Sequence, residues 1–258
     1  MPEGDTIGYA ANRLRGALLG KVPEEIVAPQ ARHAADRWPE RLAGRCIEAI
    51  DTHGKNIFIH FERGLAFHSH LRMNGAWDVY PRGASWRKPA GYAWLVIKTD
   101  EHEAVQFRGP QLELITDARR NLDQRLRTLG PDILAEEFDQ QRFLTLLRAD
   151  DPTRGIGDAL MDQRTIAGIG NIWKSEGCFD AGVSPWRPTS DISDEGVLAI
   201  VMAARPRMQR CARLGHRERN ERVYLRTGRP CLRCGSRIKA RKQGDDARTT
   251  YWCPGCQE

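Results

Sequence analysis

The sequence has no apolar run approaching the 18 or so residues of a transmembrane helix, and it has no repeat or low-complexity tract. Its first residues, MPEGDTIGYAANRLRG, have an acidic opening and no apolar h-region, which is not typical of a secretory signal peptide. These absences predict a cytoplasmic protein without a membrane partner.

Seven cysteines are an odd number for a disulfide framework, and the chain shows no export signal. Metal binding therefore explains them better than disulfide pairing. The 258 residues are 40% hydrophobic and 29% charged, an ordinary globular mixture that excludes wholesale disorder and leaves room for one large or two modest domains.

Positive charge is concentrated near the C-terminus. The chain has a net charge of +6, but residues 201–258 alone contain 15 Lys and Arg against 5 Asp and Glu. A basic segment attached to a mildly acidic body favours a polyanionic partner, nucleic acid first. A solvated, arginine-rich surface helix is the alternative that charge alone leaves open.

Hydrophobic periodicity divides the chain into an α+β arrangement of three parts. Residues 7–19 form an amphipathic pattern, and alternating apolar runs then predict strands in CIEAID, NIFIHFE, LAFHSHL, AWDVY, WLVIK, 104–107 and 112–115. Residues 1–117 are therefore expected to be a β-sandwich or barrel with a leading helix. From 118 to 225 the pattern is helical, with predicted helices at 123–129, 139–149, 157–161, 171–179 and 192–214, the last with a kink at Pro206.

The third part, residues 226–258, contains two C-x-x-C pairs separated by eighteen residues, formed by Cys231, Cys234, Cys253 and Cys256. This spacing fits a closed, tetrahedral zinc site, so we expect one structural zinc ion and a β-hairpin between the two pairs. A pair of disulfides is the alternative interpretation. The remaining cysteines, Cys46, Cys178 and Cys211, are expected to be small core residues.

The N-terminus offers a nucleophile and a carboxylate in sequence. Removal of Met1 would expose the secondary amine of Pro2, and an α-amino group with a pKa of about 7.7–8.0 is partly unprotonated near neutrality. Glu3 follows and could act as general acid and base. Many proteins begin with Met-Pro-Glu, so this pair is informative only with other motifs.

Those motifs are MPEGDT at the start, THGKNIF at 52–58, HLRMNG at 70–75, LGPDIL at 129–134, LMDQRTIAGIGNIWKSEGCFDAGVSPW at 160–186 and RPCLRCGSRI…ARTTYWCPGCQ at 229–257. In this order they resemble the formamidopyrimidine-DNA glycosylase/endonuclease VIII family over nearly the whole chain. The resemblance implies an N-terminal β-sandwich, a helix-two-turns-helix domain and a C-terminal zinc finger. It also implies a monomeric DNA glycosylase and AP lyase that acts on damaged DNA.

The resemblance assigns four catalytic residues. Pro2 would attack C1′ of the damaged nucleotide, and Glu3 would protonate the sugar ring oxygen. Lys55, at the tip of a glycine turn, would act near the phosphate, although an exposed turn lysine is the plain alternative. Arg248 would bind phosphate beside the lesion, a task that suits the planar guanidinium.

Four further residues are assigned to DNA binding. His70 would contact phosphate, and the alternative is a buried histidine. Asn171 would contact phosphate at the start of a helix, where the N–H groups and the helix dipole favour an anion. The alternative for Asn171 is a plain N-cap. Met73 would fill the hole left by the extruded base unless it belongs to the core, and Arg72, like Asn74, would flank it.

Two departures point to the endonuclease VIII branch and to oxidised pyrimidines. The chain has QFRGPQLEL where the purine-directed branch commonly has a loop like PRRFG, and it begins MPEGDT rather than MPELPE. A purine-directed glycosylase and a non-catalytic damage-binding protein are the alternatives. Thr6 replaces a glutamate that often occupies this place in the family, so that residue's role does not transfer.

Overall fold

The computed structural model describes residues 2–258, apart from the side chains of Ala34 and Arg217. The described residues form two compact units. One comprises Pro2 with Thr6–Arg127, and the other comprises Glu3–Asp5 with Thr128–Glu258. In the described range, no helix is long and apolar enough to cross a membrane. The proposed division at 225/226 stays a prediction.

The first unit is built mainly from antiparallel strands. Its elements in chain order are α1 (Gly4–Leu18), β1 (Glu25–Val27), a 3₁₀ helix (Ala31–Asp36), α2 (Trp38–Leu42), β2 (Ile47–His53), β3 (Asn56–Phe61), β4 (Leu65–His70), β5 (Ala76–Pro81), a 3₁₀ turn (Ala90–Tyr92), β6 (Ala93–Lys98), β7 (His102–Phe107), β8 (Gln111–Thr116), α3 (Asp117–Leu122) and α4 (Gln124–Arg127).

Two four-stranded sheets, ordered β1-β6-β7-β5 and β2-β3-β4-β8, form the predicted sandwich. Alternate residues of β3 point to opposite faces. Ile57 and Ile59 enter the main core together with apolar residues of α1 and the other sheet. Phe58 faces outwards, where it packs with Ala66 and Leu126. The α3–α4 segment thus covers part of the outer face, which explains why β3 is buried on both sides.

The second unit is helical and ends in a hairpin. Its elements are α5 (Gln140–Arg148), α6 (Ile156–Ala159), α7 (Asn171–Ala181), a 3₁₀ turn (Thr189–Asp191), α8 (Asp194–Leu214), a 3₁₀ helix (His216–Arg219), β9 (Lys239–Gln243) and β10 (Arg248–Trp252). Apolar residues of α5–α8, including Trp173 and Met208, form one core. A small second core contains Phe179, Ile238 and Tyr251.

The seven predicted strands and the hairpin between the cysteine pairs are confirmed. The predicted helix at 123–129 is wrong in its bounds, because helix begins at Asp117, where Thr116 accepts the N–H of Arg119 as an N-cap (3.1 Å), and a break follows at Asp123. Strand β1 and helix α2 are too short to give a periodic signal. Helix α8 continues through Pro206.

Candidate functional site

Glu3 lies at the N-terminus of helix α7 with its side chain fully buried. The N–H of Ile172 donates to Oε1 (2.9 Å) and the N–H of Trp173 donates to Oε2 (3.2 Å). Both are first-turn amides that lack a partner within the helix, and the positive end of the helix dipole favours a carboxylate there. The helix therefore fixes both oxygens of Glu3 and stabilises the ionised carboxylate.

Glycines make this close approach feasible. A Cβ atom on Gly170 would collide with the Glu3 carboxylate, and Gly168 has φ +100°, which favours glycine. The backbone N–H of Gly4 also donates to the carbonyl of Gly168 (2.9 Å). The Gly168-Ile-Gly170 segment is thus shaped to receive the residues that follow Pro2.

Asn171 is the first residue of α7, and the N-cap is Gly170 rather than Asn171. The buried Asn171 side chain donates from Nδ2 to the carbonyl of Thr249 in the terminal hairpin (2.8 Å). Tyr224, in the same unit, is half-buried, and burial together with the charge of Glu3 raises the pKa of its hydroxyl.

Lys55 lies in a two-residue turn between β2 and β3. Gly54 precedes it with φ +59°, and glycine in the first position of a two-residue hairpin loop is the type II′ pattern. On the next strand, His70 pairs in register with Asn56, the residue after Lys55. The turn and the end of β4 thus bring Lys55 and His70 to the same end of the sheet.

His70 is neutral near pH 7. Burial lowers its pKa to about 4, and the positive charges of Arg72 and Lys55 act in the same direction. Its Nδ1 accepts the N–H of Arg72 (3.1 Å), so the ring proton is on Nε2, which can donate to a ligand. His70 is only partly buried, whereas His68 of the same strand is fully buried and its Nε2 contacts Oδ1 of Asn56 (2.9 Å).

The loop from Leu71 to Gly75 closes on itself, because the N–H of Gly75 donates to the carbonyl of Leu71 (2.9 Å). Its three central residues, Arg72, Met73 and Asn74, are exposed. The Met73 side chain is 52% exposed, so it does not belong to the core. Arg72 reaches across to Oε1 of Gln111 (3.3 Å), at the start of β8.

Arg248 begins strand β10 and pairs in register with Gln243. Its Nε lies 3.7 Å from the carboxylate of Asp246, which is largely exposed. The adjacent Thr249 carbonyl is the group that accepts from Asn171. Arg248, Asn171 and Glu3 therefore belong to one neighbourhood of the second unit, organised by the N-terminus of α7.

The four cysteines of the two pairs converge at the base of the hairpin. Their sulfur atoms all lie within 4.8 Å of one another, with 3.8 Å between Cys231 and Cys256 and 3.4 Å between Cys234 and Cys253. Tetrahedral Zn–S bonds of about 2.3 Å place sulfurs about 3.8 Å apart. The donor set fits a closed zinc site, and the N–H of Arg233 already donates to the Cys231 sulfur (3.4 Å).

Family models match most of the chain. The formamidopyrimidine-DNA glycosylase N-terminal domain matches residues 1–121, and the formamidopyrimidine-DNA glycosylase H2TH domain matches residues 129–221. The chain is 40% identical to "Probable endonuclease 8 2" of Streptomyces coelicolor, in an alignment that covers 100% of this chain and 94% of that relative. The chain belongs to the formamidopyrimidine-DNA glycosylase/endonuclease VIII family.

Two further comparisons place the chain within this family. It is 34% identical, over its full length and 99% of the relative, to "DNA-(apurinic or apyrimidinic site) lyase Nei2" of Mycolicibacterium smegmatis. Lactococcus lactis Fpg (MutM), solved in complex with DNA containing an oxidised pyrimidine, superposes with a TM-score of 0.84 at 25% identity, covering 100% of both chains. The expected α+β fold agrees with these neighbours, and the chain ends in the expected cluster of four cysteines.

The structure adds one detail to the predicted phosphate site at the start of α7, and the role of Asn171 itself stays a prediction. Helix N–H groups favour a phosphate there, but those of Ile172 and Trp173 already donate to Glu3. Sequence reasoning also missed Tyr224 and Lys174. Lys174 is 1% exposed and donates to Thr250 Oγ1 (2.6 Å), which holds the hairpin against α7. The sequence did offer a signal for Lys174, because a residue three positions after Asn171 in a helix lies on the same face as Asn171.

Proposed function

We propose that this family member is a bifunctional DNA glycosylase and AP lyase of base-excision repair. The observation that carries the proposal is the placement of Glu3. This carboxylate directly follows Pro2, is fully buried, and accepts two N–H groups at the start of α7. A protein that only binds damaged DNA has no need for a carboxylate held beside an N-terminal proline.

The proposed chemistry begins with the secondary amine of Pro2, once Met1, which lies outside the described residues, is removed. The amine attacks C1′ of the extruded nucleotide, and the N-glycosidic bond breaks as the base leaves with a proton. The attacking Pro2 nitrogen gives up its proton to the ionised Glu3 carboxylate, which passes it to the ring oxygen, so that the bond between C1′ and the ring oxygen breaks and an iminium ion remains. Loss of the C2′ proton then expels the 3′ phosphate, and δ-elimination expels the 5′ phosphate.

Positively charged and neutral donors are proposed to hold the DNA backbone. In the first unit, Lys55 and the Nε2–H of His70 lie at the same end of one sheet. In the second, Arg248 and Asn171 lie beside the α7 N-terminus. Met73, exposed between Arg72 and Asn74, would occupy the hole left by the flipped base.

The Cys231, Cys234, Cys253 and Cys256 thiolates would hold one structural zinc ion. The metal would stabilise the hairpin, which has only a small core of its own, and it would take no part in the reaction because four thiolates leave no open coordination position. The zinc finger thereby presents Arg248. We further propose a cytoplasmic, monomeric enzyme, since one chain contains every residue assigned a role.

We infer a preference for oxidised pyrimidines. Strand β7 ends at Phe107 and β8 begins at Gln111, so only three residues connect them. Within this connection the Arg108 guanidinium stacks on Tyr92, 3.5 Å from the ring centroid. The loop therefore lacks the paired arginine and phenylalanine expected of the purine-directed branch. Small, non-planar bases also cost less to unstack.

Borohydride trapping on abasic-site DNA tests the nucleophile. Wild-type protein should form a covalent complex, Pro2→Gly should weaken it severely, and a form that retains Met1 should form none because its nitrogen is an unreactive amide. Undiminished trapping by the Met1-retaining form would overturn the assignment of Pro2.

Single-turnover excision tests the lesion class. Thymine glycol and 8-oxoguanine opposite cytosine are compared in the same duplex sequence, and thymine glycol should be removed faster. Faster removal of 8-oxoguanine would refute the pyrimidine preference and favour the purine-directed alternative, while leaving the Pro2 chemistry intact.

A further inference from the structure

A second carboxylate is fully buried two residues after Glu3. Asp5 has no exposed surface, and both of its oxygens accept from Arg219, with 2.7 Å from Nε to Oδ2 and 2.9 Å from Nη2 to Oδ1. Arg219 is itself only 8% exposed. This two-point contact fixes direction as well as distance, unlike a single hydrogen bond.

The contact completes a set that immobilises three consecutive residues. Glu3 is fixed through its carboxylate, Gly4 through its N–H to Gly168, and Asp5 through Arg219. Pro2 is joined to this segment by one peptide bond. The position of the Pro2 nitrogen therefore depends on how firmly residues 3–5 are held.

The backbone at Arg219 is itself held by hydrogen bonds from another arginine. Arg207 of helix α8 donates to the carbonyls of Arg219 (2.6 Å) and Asn220 (3.1 Å), and it also binds the buried carboxylate of Glu176 (3.2 Å). Burial acts to lower the pKa of Arg219, but the hydrogen bonds and charge of Asp5, with the charge of Glu3, raise it above its ordinary value. The guanidinium is thus a fixed positive charge paired with the Asp5 carboxylate.

Stability alone gives a weak reason for this pair. Buried ion pairs gain little over apolar residues of similar volume, because two charges must be removed from water. The Asp5–Arg219 pair is better explained by the orientation that it gives to the backbone of residues 3–5 than by a gain in stability. The next residue, Thr6, stands where the family often has a glutamate, so this chain carries its carboxylate one residue earlier.

We propose that Asp5 and Arg219 are positioning residues that hold Pro2 and Glu3 in the arrangement required for attack on C1′. The proposal rests on the proposed function. Neither side chain touches the reacting atoms. Their effect acts through the backbone of residues 3–5, so it should change the rate of covalent chemistry and leave DNA affinity nearly unchanged.

The test uses full-length Asp5→Asn, Arg219→Gln and Arg219→Lys. Arg148→Gln is the matched control, because it removes an ion pair with Asp194 and two bonds to backbone carbonyls elsewhere in the same unit. For each variant we would measure the single-turnover rate of borohydride trapping on abasic-site DNA, the Kd for DNA containing a tetrahydrofuran site, and the Tm.

Asp5→Asn and Arg219→Gln should slow trapping roughly 10- to 100-fold, the range associated with small misplacement of a reacting group. Their Kd should stay within about threefold of wild type, and Arg219→Lys should recover part of the rate because it keeps the charge. Assays well below the lowest Tm keep every variant folded, and Arg148→Gln should trap at the wild-type rate.

Three results separate the possible failures. If wild-type protein traps abasic-site DNA but Asp5→Asn and Arg219→Gln trap as fast as Arg148→Gln, the positioning role is refuted and the proposed function survives. Loss of affinity in proportion to loss of rate also refutes the positioning role. If wild-type protein traps nothing, both proposals are overturned.

Discussion

Replacing Glu3 by glutamine probes the contact between the N-terminus and helix α7. The carboxylate accepts one N–H at each oxygen, from Ile172 and Trp173. Glutamine keeps the shape but has a single acceptor oxygen, so its NH₂ group must face one of the two N–H donors. Glu3→Gln should therefore destabilise the folded protein as well as abolish base excision.

The magnitude follows from two effects. Losing a hydrogen bond to a charged group and leaving the donor unsatisfied in a buried place costs about 1–3 kcal/mol. Losing the favourable interaction of the negative charge with the helix dipole adds about 0.5–1 kcal/mol. The free energy of unfolding should fall by about 1.5–4 kcal/mol, which corresponds to a Tm decrease of roughly 3–15 °C for a chain of this size.

Thermal unfolding of Glu3→Gln and Glu48→Gln provides the comparison. Glu48 is exposed on β2, so its replacement removes the same charge without disturbing a buried contact. Glu48→Gln should change the Tm by no more than about 1 °C, since surface changes usually alter stability by less than 0.5 kcal/mol or so. If Glu3→Gln is as stable as Glu48→Gln, the carboxylate does not cap α7 in solution and the reasoning fails.

Three other substitutions test the second unit. Burial lowers the pKa of Lys174 from 10.5 to about 8, so between these pH values the unfolded chain binds more protons than the folded one. The free energy of unfolding should therefore rise by about 3 kcal/mol from pH 8 to pH 10.5. Denaturation measured over this pH range should show the rise in the wild type and not in Lys174→Met. Metal analysis should find one zinc ion per chain, and Cys253→Ser should lose zinc and DNA affinity while the sandwich remains folded; full activity without bound metal would contradict the zinc assignment. Arg248→Ala should reduce the slope of log K against log salt by about one unit, whereas Lys21→Ala, which removes the same formal charge, should leave it unchanged. An unchanged slope for Arg248→Ala would place that side chain away from DNA.

Much of the fold was predictable because its signals are local. Alternating side chains within β3 and β4 specify strands, and glycine at Gly54 specifies the turn that presents Lys55. The four cysteines specify a metal site through their spacing. The break at Asp123 was not predictable from apolar periodicity, because it depends on a polar side chain that accepts from the N–H of Arg125 (2.9 Å).

The candidate site likewise has features that the sequence predicts and contacts that it does not. The order Pro2-Glu3, the resemblance of six motifs to a repair family and the basic C-terminus were all available from the sequence. A contact between Glu3 and Ile172 spans 169 positions, and one between Asp5 and Arg219 spans 214, so no local pattern encodes either. Such pairs become neighbours only when the helices pack.

The sequence by itself determined which chemical groups the protein has and the order in which they occur. Only the tertiary structure decided their environment: that Glu3 rather than a phosphate takes the α7 amides, that Lys174 is buried against Thr250, and that Met73 stands exposed. The physical reason is that burial and hydrogen-bond partners are set by packing between distant segments, whereas residue type and spacing act within a few positions of the chain.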